Sequence, residues 1–274
     1  MINEFISSLF QYDFLSRALL TAILVGIVCG VVGSLILLRG LSLMGDAMSH
    51  AVLPGVAISY MLNIPMFIGA LVSGMLTSFL VGFISQHSKT KNDAAIGITF
   101  TAFFSLGIII ISQINSATDL YHILFGNILA VTSHAFYTTS IVCIIVMMSV
   151  VIFYKPLHLS TFDPIAARMN GLNIKVIHYF VMMLLALVTV ASLQTVGIIL
   201  VVAMLITPSS TAFLITKSLK TMMILASTIS AICAACGMYI SYLYNLPSGA
   251  CIVLVCCAVY ICTFAIHKIK FNIA

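Results

Sequence analysis

The chain has 274 residues, of which 62% are hydrophobic and 6% charged, with a mean hydropathy of +1.25. A soluble domain carries roughly a quarter charged residues, so this composition excludes an ordinary water-facing surface and predicts an all-α, polytopic transmembrane bundle over residues 1–274. The balance of 11 basic against 6 acidic residues gives a net charge of +5; in a chain embedded in membrane lipid this excess reports orientation, and no nucleic-acid partner is expected.

Residues 1–16 carry Phe5, Phe10 and Phe14 among polar neighbours, a pattern that suits a helix lying in the membrane interface. No basic stretch followed by a short apolar core and a cleavage site opens the sequence, so no removable signal is expected. Apolar runs long enough to cross a hydrocarbon core of about 30 Å then follow at 16–38, 42–62, 66–86, 94–113, 135–154, 177–193, 196–215, 221–243 and 246–266. This predicts nine spans, or eight if the short sixth and seventh merge around Gln194 and Thr195. Arg39, Lys89, Lys91, Lys155, Arg168, Lys175, Lys217, Lys220, Lys268 and Lys270 fall in breaks of one parity under the nine-span reading, and only Arg17 falls in the other. Positive residues mark the cytoplasmic side, which predicts an outside N-terminus and a cytoplasmic C-terminus. Lys175 and Lys217 then share a face, which requires an even number of crossings between them.

Between the fourth and fifth spans, residues 121–132 are apolar and helical in pattern but too short to cross, and are expected to form a re-entrant or interfacial helix outside. His122 on this segment is a candidate outer relay for an incoming ion. The sizeable cytoplasmic loop, 155–175, contains a miniature helix within residues 160–173. Asp163 caps its free amides, Pro164 occupies the first helical position and Gly171 supplies the left-handed stop. Such a short helix is unstable alone in water, so it is either held by a partner docking on the cytoplasmic face or is an ordinary capped loop helix. All eight cysteines fall in apolar segments, where they behave as small hydrophobes and imply no disulfide framework. Cys233 and Cys236 form a C-x-x-C, but no second pair or histidine lies nearby in sequence to complete a metal site.

Acidic residues are scarce enough to place one by one. Glu4 and Asp13 precede the first span, Asp93 and Asp163 are cytoplasmic, Asp119 is outside, and Asp46 alone lies within a span. A carboxylate at the centre of a membrane helix costs roughly 2.5–3.5 kcal/mol on insertion scales, so it faces water or a protein interior and has a partner. His50 follows four residues later, on the same helical face, with Cβ atoms about 6 Å apart. A carboxylate oxygen and an imidazole nitrogen together suit manganese, iron or zinc better than calcium or magnesium. Two ligands make half a site, which a symmetric dimer meeting on this helix would complete. A proton relay and a purely structural pair are the competing readings of the same spacing.

No G-x-x-x-x-G-K-[ST] sequence is present, so any ATP must be bound by another subunit. H-E-x-x-H and G-x-S-x-G are also absent, which argues against an intramembrane enzyme. A proton-coupled secondary transporter remains an alternative, although such proteins usually show more ionisable residues inside the membrane.

The run from Leu37 to Gly55, containing Gly45-Asp46-Ala47-Met48-Ser49-His50, resembles the signature of the manganese, zinc and iron ABC permeases. Further resemblances follow in order: Asp93 to Phe100, His122 to Leu129, Asp163 to Gly171, Gln194 to Val201, and Pro247-Ser248-Gly249. The sequence departs from the family at Thr207-Pro208-Ser209-Ser210-Thr211, where alanines often follow the proline. The resemblance implies a homodimeric permease of type II importer fold, with two ATP-binding cassette subunits below and an extracytoplasmic metal-binding protein above, in a bacterial cell membrane. It further implies that Asp46 and His50 coordinate the transported ion, and that Asp163, Pro164, Ala166, Ala167, Arg168 and Gly171 belong to the helix that couples to the ATPase. Overall the chain most resembles the manganese importers of Gram-positive bacteria, with zinc and iron as alternative ions.

Overall fold

The computed structural model describes residues 7, 11–89, 91–113, 128 and 131–273. The expected outer helix at 121–132, with His122, lies outside the described residues save for positions 128, 131 and 132, and so does most of the expected interfacial segment at the N-terminus.

The described residues form helices and no strands. In chain order these are α1 (Asp13–Leu38), α2 (Leu43–Ala51), α3 (Leu53–Met61), α4 (Met66–His87), α5 (Asn92–Ser112), α6 (Ser133–Ile152), α7 (Tyr154–Phe162), α8 (Pro164–Met169), α9 (Ile174–Val196), α10 (Ile198–Ile215), α11 (Leu219–Tyr244) and α12 (Ser248–Ile273). Helices satisfy their own backbone, as a lipid environment demands. Eight of them are long and apolar enough to span. The eighth-or-ninth ambiguity resolves in an unexpected place. The sixth and seventh expected spans do not merge, because Gly197 between α9 and α10 sits at φ 81°, ψ 167°, a region essentially closed to side-chain-bearing residues. The second expected span is present but broken into the 9-residue helices α2 and α3, so neither half is among the eight long helices.

α1 forms the centre of the bundle, with Ala18, Ala22, Val25, Cys29, Val32 and Leu35 fully buried, and packs against α6, α9, α10 and α11. Close approach to α11 depends on small residues. A Cβ on Gly30 would lie 2.7 Å from the Ser227 amide nitrogen, so a larger side chain there must push the two backbones apart. At the periphery α4, α5, α6 and α12 turn large apolar residues outward, among them Phe79, Ile109, Ile144 and Leu254, as a lipid-facing surface requires. All eight cysteines are free thiols.

At one end of the bundle Arg39, just past α1, donates from Nη2 to Ser160 Oγ at 2.7 Å and from Nε to Thr161 Oγ1 at 3.2 Å on α7. At the other end Arg17, near the start of α1, donates to Ser133 Oγ on α6 at 2.5 Å. The two arginines thus mark opposite ends of a 26-residue helix, about 39 Å long at the usual rise.

Candidate metal site and coupling helix

α2 is short and two-sided. Met44, Met48 and Ala51 are buried against the bundle, while Leu43 and Asp46 are exposed and His50 is half-buried on the opposite face. Ser78 Oγ approaches Met48 Sδ at 3.6 Å, and Ser73 Oγ donates to the Ala51 carbonyl at 2.8 Å. Both serines belong to α4. The second bond occupies a backbone acceptor at the break between α2 and α3, where Pro54 stands in the first turn of α3 and brings no amide hydrogen. Pro208, by contrast, lies buried inside the continuous helix α10.

His50 is walled by α5. Its ring lies edge-on to Phe104, with centroids 5.5 Å apart and planes at 82°, and tilted against Phe100 at 5.7 Å. Phe100 and Phe104 themselves stack at 5.8 Å. Nothing in the spacing of residues 50, 100 and 104 announces this contact; it depends on the packing of α2 against α5. Asp46, in contrast, forms no hydrogen bond or ion pair with the described residues. No group of three or more histidine, cysteine, aspartate or glutamate side chains able to hold a metal occurs among the described residues. Among the described residues, one chain therefore offers a carboxylate and an imidazole on one face of one helix, and no third ligand beside them.

α8 sits at the Arg39 end. Asp163 Oδ1 accepts from the Ala166 amide at 2.9 Å, Pro164 is the first residue of the helix, and Gly171 has φ 76°. Ala167 is fully buried and anchors α8 to the bundle, so it is not available for contact with another subunit. Ile165 and Met169, one turn apart, are 73% and 84% exposed. These two apolar side chains were not among the residues expected from sequence to matter, and both stand exposed on the helix. α7, which precedes α8, was also not expected as a helix: Pro156 falls in its first turn, where a proline is tolerated.

This architecture is a multi-pass helical bundle with a carboxylate and imidazole pair in a broken span and a capped helix beyond its end, an arrangement consistent with a membrane transport permease. Residues 11–267 match the ABC 3 transport family, and the chain belongs to it. It is 58% identical over 260 residues, 95% of this chain and 93% of the relative, to the manganese transport system membrane protein MntC of Listeria monocytogenes. It is 50% identical to the manganese import system permease protein ScaB of Streptococcus parasanguinis over 97% of this chain and 95% of the relative. A probable iron transport system membrane protein of Haemophilus influenzae is 41% identical over 95% of this chain and 96% of its own length. Among solved structures, PsaBC from Streptococcus pneumoniae in complex with a Fab superposes with a TM-score of 0.86 at 48% identity, covering 96% of this chain and 95% of the matched chain.

Proposed function

We infer that this chain is the membrane-spanning subunit of an ATP-driven importer of divalent transition metals, with manganese as its ion. It works as a homodimer with two ATP-binding cassette subunits and receives its ion from an extracytoplasmic binding protein. The relatives named for manganese transport support the ion, and the membership of the ABC 3 family supports the energy source. One observation carries the site: α2 turns Asp46 away from the protein core with no partner among the described residues, inside a broken membrane span. A carboxylate in that position is stable only against water or a second protein surface. Two copies of α2 facing one another supply two carboxylates and two imidazoles, a ligand set suited to manganese.

The gathering of Arg39, Arg168 and Lys175 at one end of the bundle supports a cytoplasmic location for that end and an outside N-terminus. α8 then lies on the ATPase side, where Ile165 and Met169 have a partner surface to cover them. Alternating access follows: movement of the ATPase subunits passes through α8 and opens or closes a path past Asp46 and His50.

The test is uptake by vesicles carrying the purified permease with and without its ATPase, using manganese, zinc and iron in competition. ATP-dependent manganese uptake that is lost in Asp46→Ala and His50→Ala, with the ATPase still bound, is the expected result. Uptake that persists in both variants would make the pair structural, and ATP-independent uptake driven by a proton gradient would overturn the energy source. Preference for zinc or iron would reassign the ion while leaving the mechanism.

A further inference from the structure

The Arg39 end of the bundle holds a feature that ion passage does not use. The ends of α1 and α4, the starts of α5 and α9, and helices α7 and α8 surround a cavity of about 750 Å³. Three of its lining side chains, Arg39, Arg168 and Lys175, are cations, and none is a carboxylate. The three form no ion pair among the described residues. Arg39 is half-buried, and among the described residues its guanidinium donates to the neutral hydroxyls of Ser160 and Thr161. Asp163, close in sequence to that wall, is already committed to the Ala166 amide. Two more lining groups are unsatisfied: His178 Nε2 and Gln86 Oε1 are buried and have no hydrogen-bond partner among the described residues.

This combination is chemically specific. A half-buried cation without a counter-ion is costly, and burial draws the Arg39 guanidinium down only to about 10, so it keeps its charge at neutral pH and an anion has to compensate it. A guanidinium fork and an ammonium together match a phosphate better than a single carboxylate. The imidazole nitrogen supplies a further donor, and the Gln86 oxygen needs a hydroxyl. The cavity lies where the spanning helices end, which is the depth of lipid headgroups, and the neighbouring outward residues Phe83, Ile98 and Val176 are exposed and apolar. Basic pockets among helix ends on the cytoplasmic side are the setting in which anionic headgroups bind.

We propose that this cavity binds the headgroup of an anionic phospholipid bearing free hydroxyls, with the phosphate held by Arg39, Arg168 and Lys175 and a headgroup hydroxyl donating to Gln86 Oε1. The site is independent of the transported ion. The probe is phosphatidylglycerol in nanodiscs of phosphatidylcholine containing the full chain, with lipid retained per chain counted by native mass spectrometry after transfer to detergent. Wild type should retain phosphatidylglycerol in preference to phosphatidylcholine. Lys175→Gln, at an exposed position, should weaken retention about five-fold, the effect of one cation near a lipid phosphate, with an unchanged melting temperature. Arg39→Lys keeps the charge but loses the fork and should also weaken it, which leaves a readout if either variant folds poorly. Equal retention of the two lipids, or no change in both variants, overturns the proposal. Stabilisation by inorganic phosphate alone in phosphatidylcholine discs to the same extent as by phosphatidylglycerol would make it a soluble-phosphate site instead. Displacement of phosphatidylglycerol when the ATPase subunit binds would assign the cations to carboxylates of that partner and would equally overturn it.

Discussion

In an Asp163→Ala variant the Ala166 amide loses the carboxylate oxygen that accepts from it at 2.9 Å. Replacing a capping aspartate by alanine costs about 1 kcal/mol, within a range of roughly 0.5–2. α8 has only 6 residues, far below the length at which a helix is stable by itself, so little reserve exists within the helix to absorb that loss. If docking requires the ordered helix, about 1 kcal/mol lowers the affinity of the ATPase subunit about five-fold. The measurement is titration of the purified ATPase onto the permease in nanodiscs, paired with manganese-stimulated ATP hydrolysis. Asp163→Asn keeps an accepting oxygen and should stay within about two-fold of wild type. An asparagine variant as damaged as the alanine variant would show that charge matters rather than the cap, and an alanine variant with normal affinity would refute the coupling role of α8.

Ile165→Ser and Met169→Ser should each weaken ATPase binding by about 1.5–3 kcal/mol if these exposed side chains are fully buried on docking, while the melting temperature of the permease alone stays within error; an undiminished affinity would place the contact elsewhere. Asp46→Asn, which keeps shape and removes charge, should abolish manganese uptake with assembly intact, as judged by co-purification of the ATPase. Gly197→Ala should destabilise the chain by about 1–3 kcal/mol, because φ 81° is strained for any side chain, read as a lowered melting temperature in detergent. A neutral outcome there would mean that the α9–α10 junction relaxes freely.

Much of the bundle was legible because apolar length is a direct signal. The run 66–86 became Met66–His87, and 221–243 became Leu219–Tyr244. The caps of α8 were legible for the same local reason, since Asp163, Pro164 and Gly171 act within one turn. Asp46 and His50 could be paired by a four-residue spacing, but the wall of Phe100 and Phe104 could not, because it arises from the crossing of two helices some fifty residues apart. Hydropathy also could not show the break after Ala51: both halves are apolar, and the bond that satisfies the Ala51 carbonyl comes from Ser73, a residue of the next span. On α8, sequence marked Ala167 and passed over Ile165 and Met169, since which side of so short a helix faces inward is decided by the bundle it rests on.

That bond from Ser73 bears on how the chain reaches the membrane. Two 9-residue helices carrying an aspartate and a histidine make a poor candidate for independent insertion; the charge alone costs roughly 2.5–3.5 kcal/mol at the bilayer centre. α4 is a 22-residue apolar span that follows α3 after a short turn, and it carries the donor that the broken helix lacks. Biogenesis of the Asp46 segment is thereby expected to depend on its neighbour: with α2 and α3 as one arm of a hairpin whose other arm is α4, a weakened α4 would leave that segment stranded at the translocon.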